Sequence, residues 1–86
     1  VYEIGEGAFY TCSALKRIEI PDSVVKIDDI AFRGCTNLES IVIPSSVKEF
    51  GWGIFNGCEN VTVICSDDSQ AAKYCDSRNI PHRKNA

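Results

Sequence analysis

The sequence predicts an α/β solenoid, a coil of repeats that each contribute short strands and a short helical turn, closed by a C-terminal capping helix. Internal repetition is the first observation. Residues 4–26 and 27–49 align without a gap, and ten of the 23 positions are identical, where unrelated sequences of this composition would share about one or two. The chain length of 86 residues is the second observation. It allows one small domain, in which stacked repeats bury their apolar faces against one another.

Each repeat contains a strand motif, L-x-x-I-x-I-P. It occurs as Leu15, Ile18, Ile20 and Pro21, and again as Leu38, Ile41, Ile43 and Pro44. Alternating β-branched residues predict a short strand, and proline ends that strand because it has no N–H to donate. The turn pairs Asp22-Ser23 and Ser45-Ser46 follow, and a second short extended piece is predicted at 24–27 and 47–50.

The rest of each repeat, at 5–12, 28–35 and 51–58, is predicted to form one to two turns of helix. Asp28 is a suitable N-cap, and Gly34 and Gly57 are suitable helix stops. Two columns recur every 23 residues: Phe9, Phe32 and Phe55, and Cys12, Cys35 and Cys58. We expect the phenylalanines to stack in the core and to dominate stability. We expect the cysteines to be buried, reduced thiols, since three equivalent side chains cannot all pair.

The composition changes after Ile64, and a helix is predicted from Gln70 to Arg78. Acidic and serine residues at 66–69 favour a helix start, and Asn79 with a following proline favours its end. An apolar face of Ala71, Tyr74 and Cys75 would cover the last repeat. The predicted organisation is therefore repeats at 1–65, a helical cap at 66–82 and a disordered tail at 83–86.

The joint pattern I-G-x-x-A-F-x-x-C-x-x-L-x-x-I-x-I-P-x-S-V, over roughly residues 1–64, resembles the BspA-like leucine-rich repeat family. This resemblance implies a right-handed solenoid with a parallel sheet along one face. It also implies a secreted or cell-surface protein that binds a host or matrix protein. The third repeat departs from the pattern, with Ile54 in place of alanine, Val61 in place of leucine and no I-P at Ser66-Asp67.

The charge and hydropathy of the chain exclude some partners. A net charge of −3 with no basic stripe argues against nucleic acid, and no apolar run is long enough for membrane insertion. Val1 aligns with Val24, so we expect the chain to be the C-terminal part of a longer array, with any targeting signal upstream. An uncapped first turn would permit end-to-end self-association.

No catalytic or cofactor site is predicted. His82, the single histidine, has no predicted partner to orient it as a base, and the acidic pairs at 28–29 and 67–68 suit element starts. The spacing of Cys65, Cys75 and His82 lacks the close cysteine pairs of structural zinc sites. A disulfide between Cys65 and Cys75 stays open, because the repeat phase places Cys65 outward and Cys75 inward.

The predicted functional surface is the outer face of the parallel sheet. By repeat phase its side chains are Arg17, Glu19, Ser40, Val42, Val63 and Cys65. The last three would form an apolar patch suited to a contact, or would be covered by the cap helix. Together with this face, the resemblance to the BspA-like family implies a protein-protein interaction module that binds an unidentified protein through it. The alternative is a structural spacer, in which the face is inert and an upstream domain carries the activity.

Overall fold

A computed structural model describes residues 2–84 and confirms a solenoid of parallel strands closed by one C-terminal helix. The elements are β1 (Tyr2–Ile4), β2 (Arg17–Glu19), β3 (Val24–Ile27), β4 (Ser40–Val42), β5 (Glu49–Phe50), β6 (Thr62–Ile64), α1 (Gln70–Ser77) and β7 (His82–Arg83). Each repeat supplies one strand to each of two parallel sheets. The small sheet has the order β1-β3-β5 and the large sheet β2-β4-β6-β7.

The phenylalanine column forms the centre of the core, as predicted. Phe32 stacks on Phe9 with ring centroids 5.0 Å apart and on Phe55 with centroids 5.9 Å apart. The rings are almost parallel because the backbone of each turn repeats the one before it. Phe32 is completely buried, so it has an aromatic neighbour on both faces.

The first turn of the coil is less well covered than the second. In the second turn, the apolar core positions are fully buried: Ile27, Phe32, Leu38 and Ile41. Their equivalents one repeat earlier are only partly buried: Ile4, Phe9, Leu15 and Ile18. The described chain therefore presents an apolar end at its first turn, whereas its other end is covered by α1 and β7.

The segments at 5–12, 28–35 and 51–58 are runs of tight turns, so the prediction of one to two turns of helix there is wrong. Short-range hydrogen bonds span three residues, as from Ala8 N–H to Gly5 O at 3.1 Å. Alternate amides donate to the next turn of the coil, as Phe9 N–H does to Ala31 O at 2.7 Å. Left-handed φ values recur at two equivalent positions of each turn: Gly7, Ile30 and Gly53, and Thr11, Gly34 and Gly57. A helix cannot continue through them.

Ile30 carries backbone strain, because a β-branched residue is a rare outlier at positive φ. Its φ is 52°, where the equivalent positions are glycine. We expect Ile30→Gly to be more stable than Ile30→Ala by about 1 kcal/mol, reversing the usual preference for alanine over glycine. Urea unfolding of the two variants measures the difference. A more stable alanine variant would show that this turn relaxes out of the left-handed region.

The C-terminal helix begins and ends close to the predicted positions. Ser69 caps α1 by accepting a hydrogen bond from Ala72 N–H at 3.2 Å. After the last helical turn Asn79 adopts φ 56°, and Ile80 N–H donates to Cys75 O at 2.9 Å. These are the features of a Schellman motif, in which a left-handed residue satisfies the last helix carbonyls. The motif turns the chain back toward the large sheet.

The chain continues into the sheet where the sequence analysis predicts a disordered tail from 83. Arg83 belongs to β7 and pairs with Ile64, and its carbonyl accepts a hydrogen bond from Cys65 N–H at 2.9 Å. Lys84 Nζ lies 3.3 Å from Asp67 Oδ2. The prediction is therefore wrong for Arg83, which forms the last strand of the sheet, and residues 85 and 86 lie outside the described residues.

Candidate binding surface

The outer face of the large sheet carries two rows of side chains. One row runs across the strands through Arg17, Ser40 and Thr62, and the other runs through Glu19, Val42, Ile64 and Arg83. The row between them points inward and consists of Ile18, Ile41, Val63 and His82. Side chains of adjacent residues alternate between the two faces of a strand, so the observed pairing decides which residues face outward.

The outward positions predicted for Val63 and Cys65 are wrong. Both side chains are buried, with exposures of 0% and 3%. The cause is the strand pairing: Ile41 pairs with Val63, a spacing of 22 residues, although Phe32 and Phe55 are 23 residues apart. The third repeat is therefore one residue shorter than the second between its phenylalanine and its strand. A one-residue shift moves every side chain of a strand to the other face of the sheet.

The predicted positions of the other four residues fit the observed strand pairing. Arg17 and Glu19 are exposed, and Ser40 and Val42 are half-buried at outward positions. In the third repeat their counterparts are Thr62 and Ile64. Ile64 is only 8% exposed and is not part of the core cluster, so its apolar surface lies between Val42 and Arg83. The predicted apolar patch is therefore reduced to Val42 and Ile64.

A cleft of about 430 Å³ lies on this face, and we call it the arginine cleft. It is lined by Arg17, Glu39, Ser40, Thr62 and Arg83. Two guanidinium groups, two hydroxyl groups and one carboxylate therefore share it. The backbone under the cleft is fixed by ladder bonds, such as Thr62 N–H to Glu39 O at 2.9 Å.

Cys35 and Cys58 are buried in the core as predicted, and each thiol has a defined acceptor, whereas Cys12 is only partly buried at the first turn. Cys35 Sγ donates to Phe9 O and Cys58 Sγ to Phe32 O, both at 3.0 Å. Each thiol thereby bonds to the turn before it and satisfies a carbonyl of that turn. Burial raises the pKa of Cys58 to about 11. A protonated thiol is the form that can donate these bonds, so the column has a structural role.

Cys65 and Cys75 are both buried, and both are free thiols in this structure. Burial is the main cause that raises their pKa values, to about 12 for Cys75. Cys65 does not contribute to an apolar patch on the outer face, and its amide donates a hydrogen bond to Arg83 O of β7. Both cysteines therefore act as small apolar core residues, Cys65 after the last strand of the third repeat and Cys75 on the inner face of α1.

The buried thiols predict that stability falls in alkaline solution. An unfolded cysteine loses its proton near pH 9, whereas Cys58 and Cys75 keep theirs to about 11 and about 12 when folded. Above about pH 9 the unfolded chain binds fewer protons than the folded chain, so the free energy of unfolding decreases as pH rises. Each such thiol contributes up to about 1.4 kcal/mol per pH unit.

Urea unfolding in the presence of a reductant, at pH values from about 7 to about 10, measures this dependence. Cys75→Ala is the matched variant, since it removes one thiol and keeps a small side chain. We expect its stability to decline less steeply than that of the parent chain. Equal slopes for the two proteins would show that Cys75 is not buried as described.

His82 occupies the inward row and connects the sheet to the cap. Its Nε2 lies 2.8 Å from Asp76 Oδ1 on α1, and its Nδ1 is buried without a hydrogen-bond partner in the described residues. The sequence predicts no partner that orients His82, whereas in the structure Asp76 is such a partner, and the His82 side chain is only 21% exposed. This contact links β7 to α1.

The acidic pairs bind backbone and side-chain groups nearby. Asp28 Oδ1 accepts a hydrogen bond from Asp29 N–H at 2.8 Å, and Asp29 Oδ1 accepts one from Trp52 N–H at 3.0 Å. Asp67 forms the ion pair with Lys84. The cap predicted at Asp28 is thus a local turn bond with no helix after it. Within residues 2–84 no group of His, Cys, Asp and Glu side chains is arranged to hold a metal ion.

Two exposed aromatic residues were not identified as surface residues from the sequence. Trp52 is 59% exposed and Tyr10 is 51% exposed, and both belong to the tight-turn segments, away from the large sheet. Their positions in the repeat are held by Asp29 and Arg33 in the second turn. A tryptophan at a repeat position where the second turn has the polar Asp29 is the sequence feature that indicates an exposed aromatic residue at 52. Aromatic residues on a surface often contribute to contacts.

Solenoid repeats of this kind form extended surfaces that act as binding scaffolds. A family model for the BspA type leucine rich repeat region (6 copies) matches residues 1–77. The chain belongs to this family, and its repeats form a protein-interaction module. Comparisons with curated proteins and with solved structures gave no match. None of the helices in the described part of the chain has the length and hydrophobicity needed to cross a membrane.

Proposed function

We propose that this chain is the protein-recognition part of a secreted or cell-surface protein and that it binds a host or matrix protein through the outer face of the large sheet. The single observation that carries the proposal is the pair of outward rows on this face. They combine charged, hydroxyl and apolar side chains on backbone that is fixed by parallel ladders. Interfaces of this mixed composition, with arginine among the contacts, are usual between proteins.

Two positions allow a direct test. Val42 and Thr62 are outward and half-buried, in neighbouring rows of the face. The double variant Val42→Arg plus Thr62→Arg adds bulk and charge where a partner would pack. Thr36→Arg plus Asn56→Arg adds the same charge at exposed positions of the tight turns, and is the matched control.

Binding of the three proteins to a panel of purified extracellular-matrix proteins, measured by surface plasmon resonance, decides the proposal. We expect at least one panel member to bind the parent chain, with a loss of about tenfold or more in the face variant and little change in the control. Equal losses in both variants would remove the sheet face from the proposal. A panel without any binding would favour the structural spacer.

We also propose that two copies associate end to end through the apolar first turn. Leu15 and Ile18 are partly buried there, and among the strands of residues 2–84, β1 and β2 each have a single neighbour. Edge strands of this kind pair readily with another chain. Light scattering over a range of concentrations should show a rising mass, which Leu15→Glu abolishes. A monomer at every concentration would contradict association.

A further inference from the structure

The arginine cleft contains hydrogen-bond donors that the protein does not use. Within residues 2–84, the side-chain hydrogen bonds of the structure do not involve the hydroxyls of Ser40 or Thr62. Arg17 is 79% exposed, and its ion pair with Glu39 is long, with Nη2 and Oε1 4.0 Å apart. An exposed pair at that distance contributes little free energy. The guanidinium of Arg17 is therefore available to a stronger acceptor.

The two arginines stand at opposite sides of the sheet. Arg17 is on β2 and Arg83 on β7, the first and last strands in the order β2-β4-β6-β7. Strands are about 4.8 Å apart, and the two residues lie in different outward rows, about 7 Å apart along the strand, so their backbones are about 16 Å apart on a diagonal of the face, while both side chains line the same cleft. In an extended peptide, side chains four residues apart lie on one face about 13 Å apart. A peptide that crosses the strands could thus place one acidic side chain at each arginine.

Arginine and hydroxyl groups favour a carboxylate, which a guanidinium binds through two parallel hydrogen bonds. A nucleic acid or polyphosphate fits the cleft less well. Its affinity depends on many neutralised phosphates, whereas the cleft has two guanidiniums and contains the carboxylate of Glu39. The net charge of −3 adds to the repulsion of a polyanion. A peptide with two separate carboxylates carries fewer negative charges, so the protein repels it less than it repels a polyanion.

We infer that the arginine cleft binds an acidic peptide segment of the partner, with one carboxylate at Arg17 and a second at Arg83, while Ser40 and Thr62 donate hydrogen bonds between them. This inference rests on the proposed function, because it names the partner chemistry of the same face. The inference also assigns a role to Glu39, which lines the same cleft. Its carboxylate competes with the incoming one for Arg17 and weakens binding.

Titration with a synthetic peptide, followed by the amide NMR signals of the protein at low ionic strength, tests the inference. The probe is Gly-Glu-Ser-Gly-Ser-Glu-Gly with blocked ends, and its controls are the same peptide with glutamine for glutamate and a short oligothymidylate. We expect saturable shifts at β2, β4, β6 and β7 with the acidic peptide alone. Equal binding of the glutamine peptide, or tighter binding of the oligonucleotide, would overturn the inference.

Three single variants give opposite expected effects on the affinity for this peptide. Arg17→Gln and Arg83→Gln each remove a charged donor and should weaken binding about fivefold or more. Glu39→Gln removes the competing carboxylate and should strengthen it about threefold. All three positions are exposed, and circular dichroism verifies that each variant is folded. Weaker binding in Glu39→Gln would contradict the competition.

The failure of this inference can be told apart from failure of the proposed function. If a matrix protein binds and Val42→Arg plus Thr62→Arg abolishes that binding while the acidic peptide does not bind, the face is functional and its partner is not acidic. If the acidic peptide binds as expected while the same double variant leaves matrix-protein binding unchanged, the cleft is an acidic-peptide site and the proposed recognition of matrix proteins through this face fails.

Discussion

Replacing Phe32 by alanine is expected to destabilise the protein by about 3–5 kcal/mol, the usual cost of truncating a buried phenylalanine. Phe32 is completely buried, and it stacks on Phe9 and Phe55. Its loss leaves a cavity between two turns that each depend on the other. A chain of this size has a total stability of roughly 4–13 kcal/mol, so a large part of it would be lost. Thermal and urea unfolding measure the change.

Phe9→Ala is the matched control, because Phe9 is in the same column at the partly buried first turn. It should cost clearly less than Phe32→Ala, since only one face of the ring is covered by another phenylalanine. Equal costs at the two positions would mean that the rings do not form one column with a covered centre and an open end.

The second large effect is expected for Gly51→Ala. A Cβ atom at Gly51 would collide with the backbone nitrogen and the carboxylate of Asp29 in the turn before it. Because the backbone of Asp29 cannot move away cheaply, we expect a loss of about 1–3 kcal/mol, as for other overpacked sites. Gly5 occupies the equivalent position two turns earlier, in the first turn, where a Cβ would meet nothing within 4 Å.

Gly5→Ala should therefore change the stability by less than about 0.5 kcal/mol. Urea unfolding of both variants under the same conditions gives the comparison. If both substitutions are tolerated, the turns at Asp29 and Gly51 are further apart than described. If both are damaging, the intrinsic preference of the position for glycine, rather than the close approach, is responsible.

The sequence predicts the parts of this structure that depend on identical residues at a constant spacing. Phe9, Phe32 and Phe55 are such residues, and the distance between neighbouring turns follows from their stacking. The helix Gln70–Ser77 was also predictable, because capping at Ser69 and the left-handed Asn79 are local features. Neither depends on how the repeats pair.

Features that depend on pairing between turns could not be predicted from the repeat phase. A constant spacing of 23 residues predicts that Val63 and Cys65 lie on the outer face, but the third repeat is one residue shorter before its strand. The sequence does not distinguish the tight turns from short helices, because glycine at 34 and 57 suits a helix stop as well as a left-handed turn position. Ile30 at the other left-handed position gives no sign of that conformation in its residue type. The strand at His82–Arg83 depends on its pairing with β6.

Both the proposed binding face and the arginine cleft require that Ser40 pairs with Thr62 and Val42 with Ile64. NMR measurement of nuclear Overhauser effects between the backbones of β4 and β6 tests this pairing directly. The structure predicts contacts that connect Ser40 with Thr62 and Val42 with Ile64. Contacts from Ser40 to Val63 and from Val42 to Cys65 would contradict it, since they would turn Val63 and Cys65 outward and remove Thr62 from the cleft.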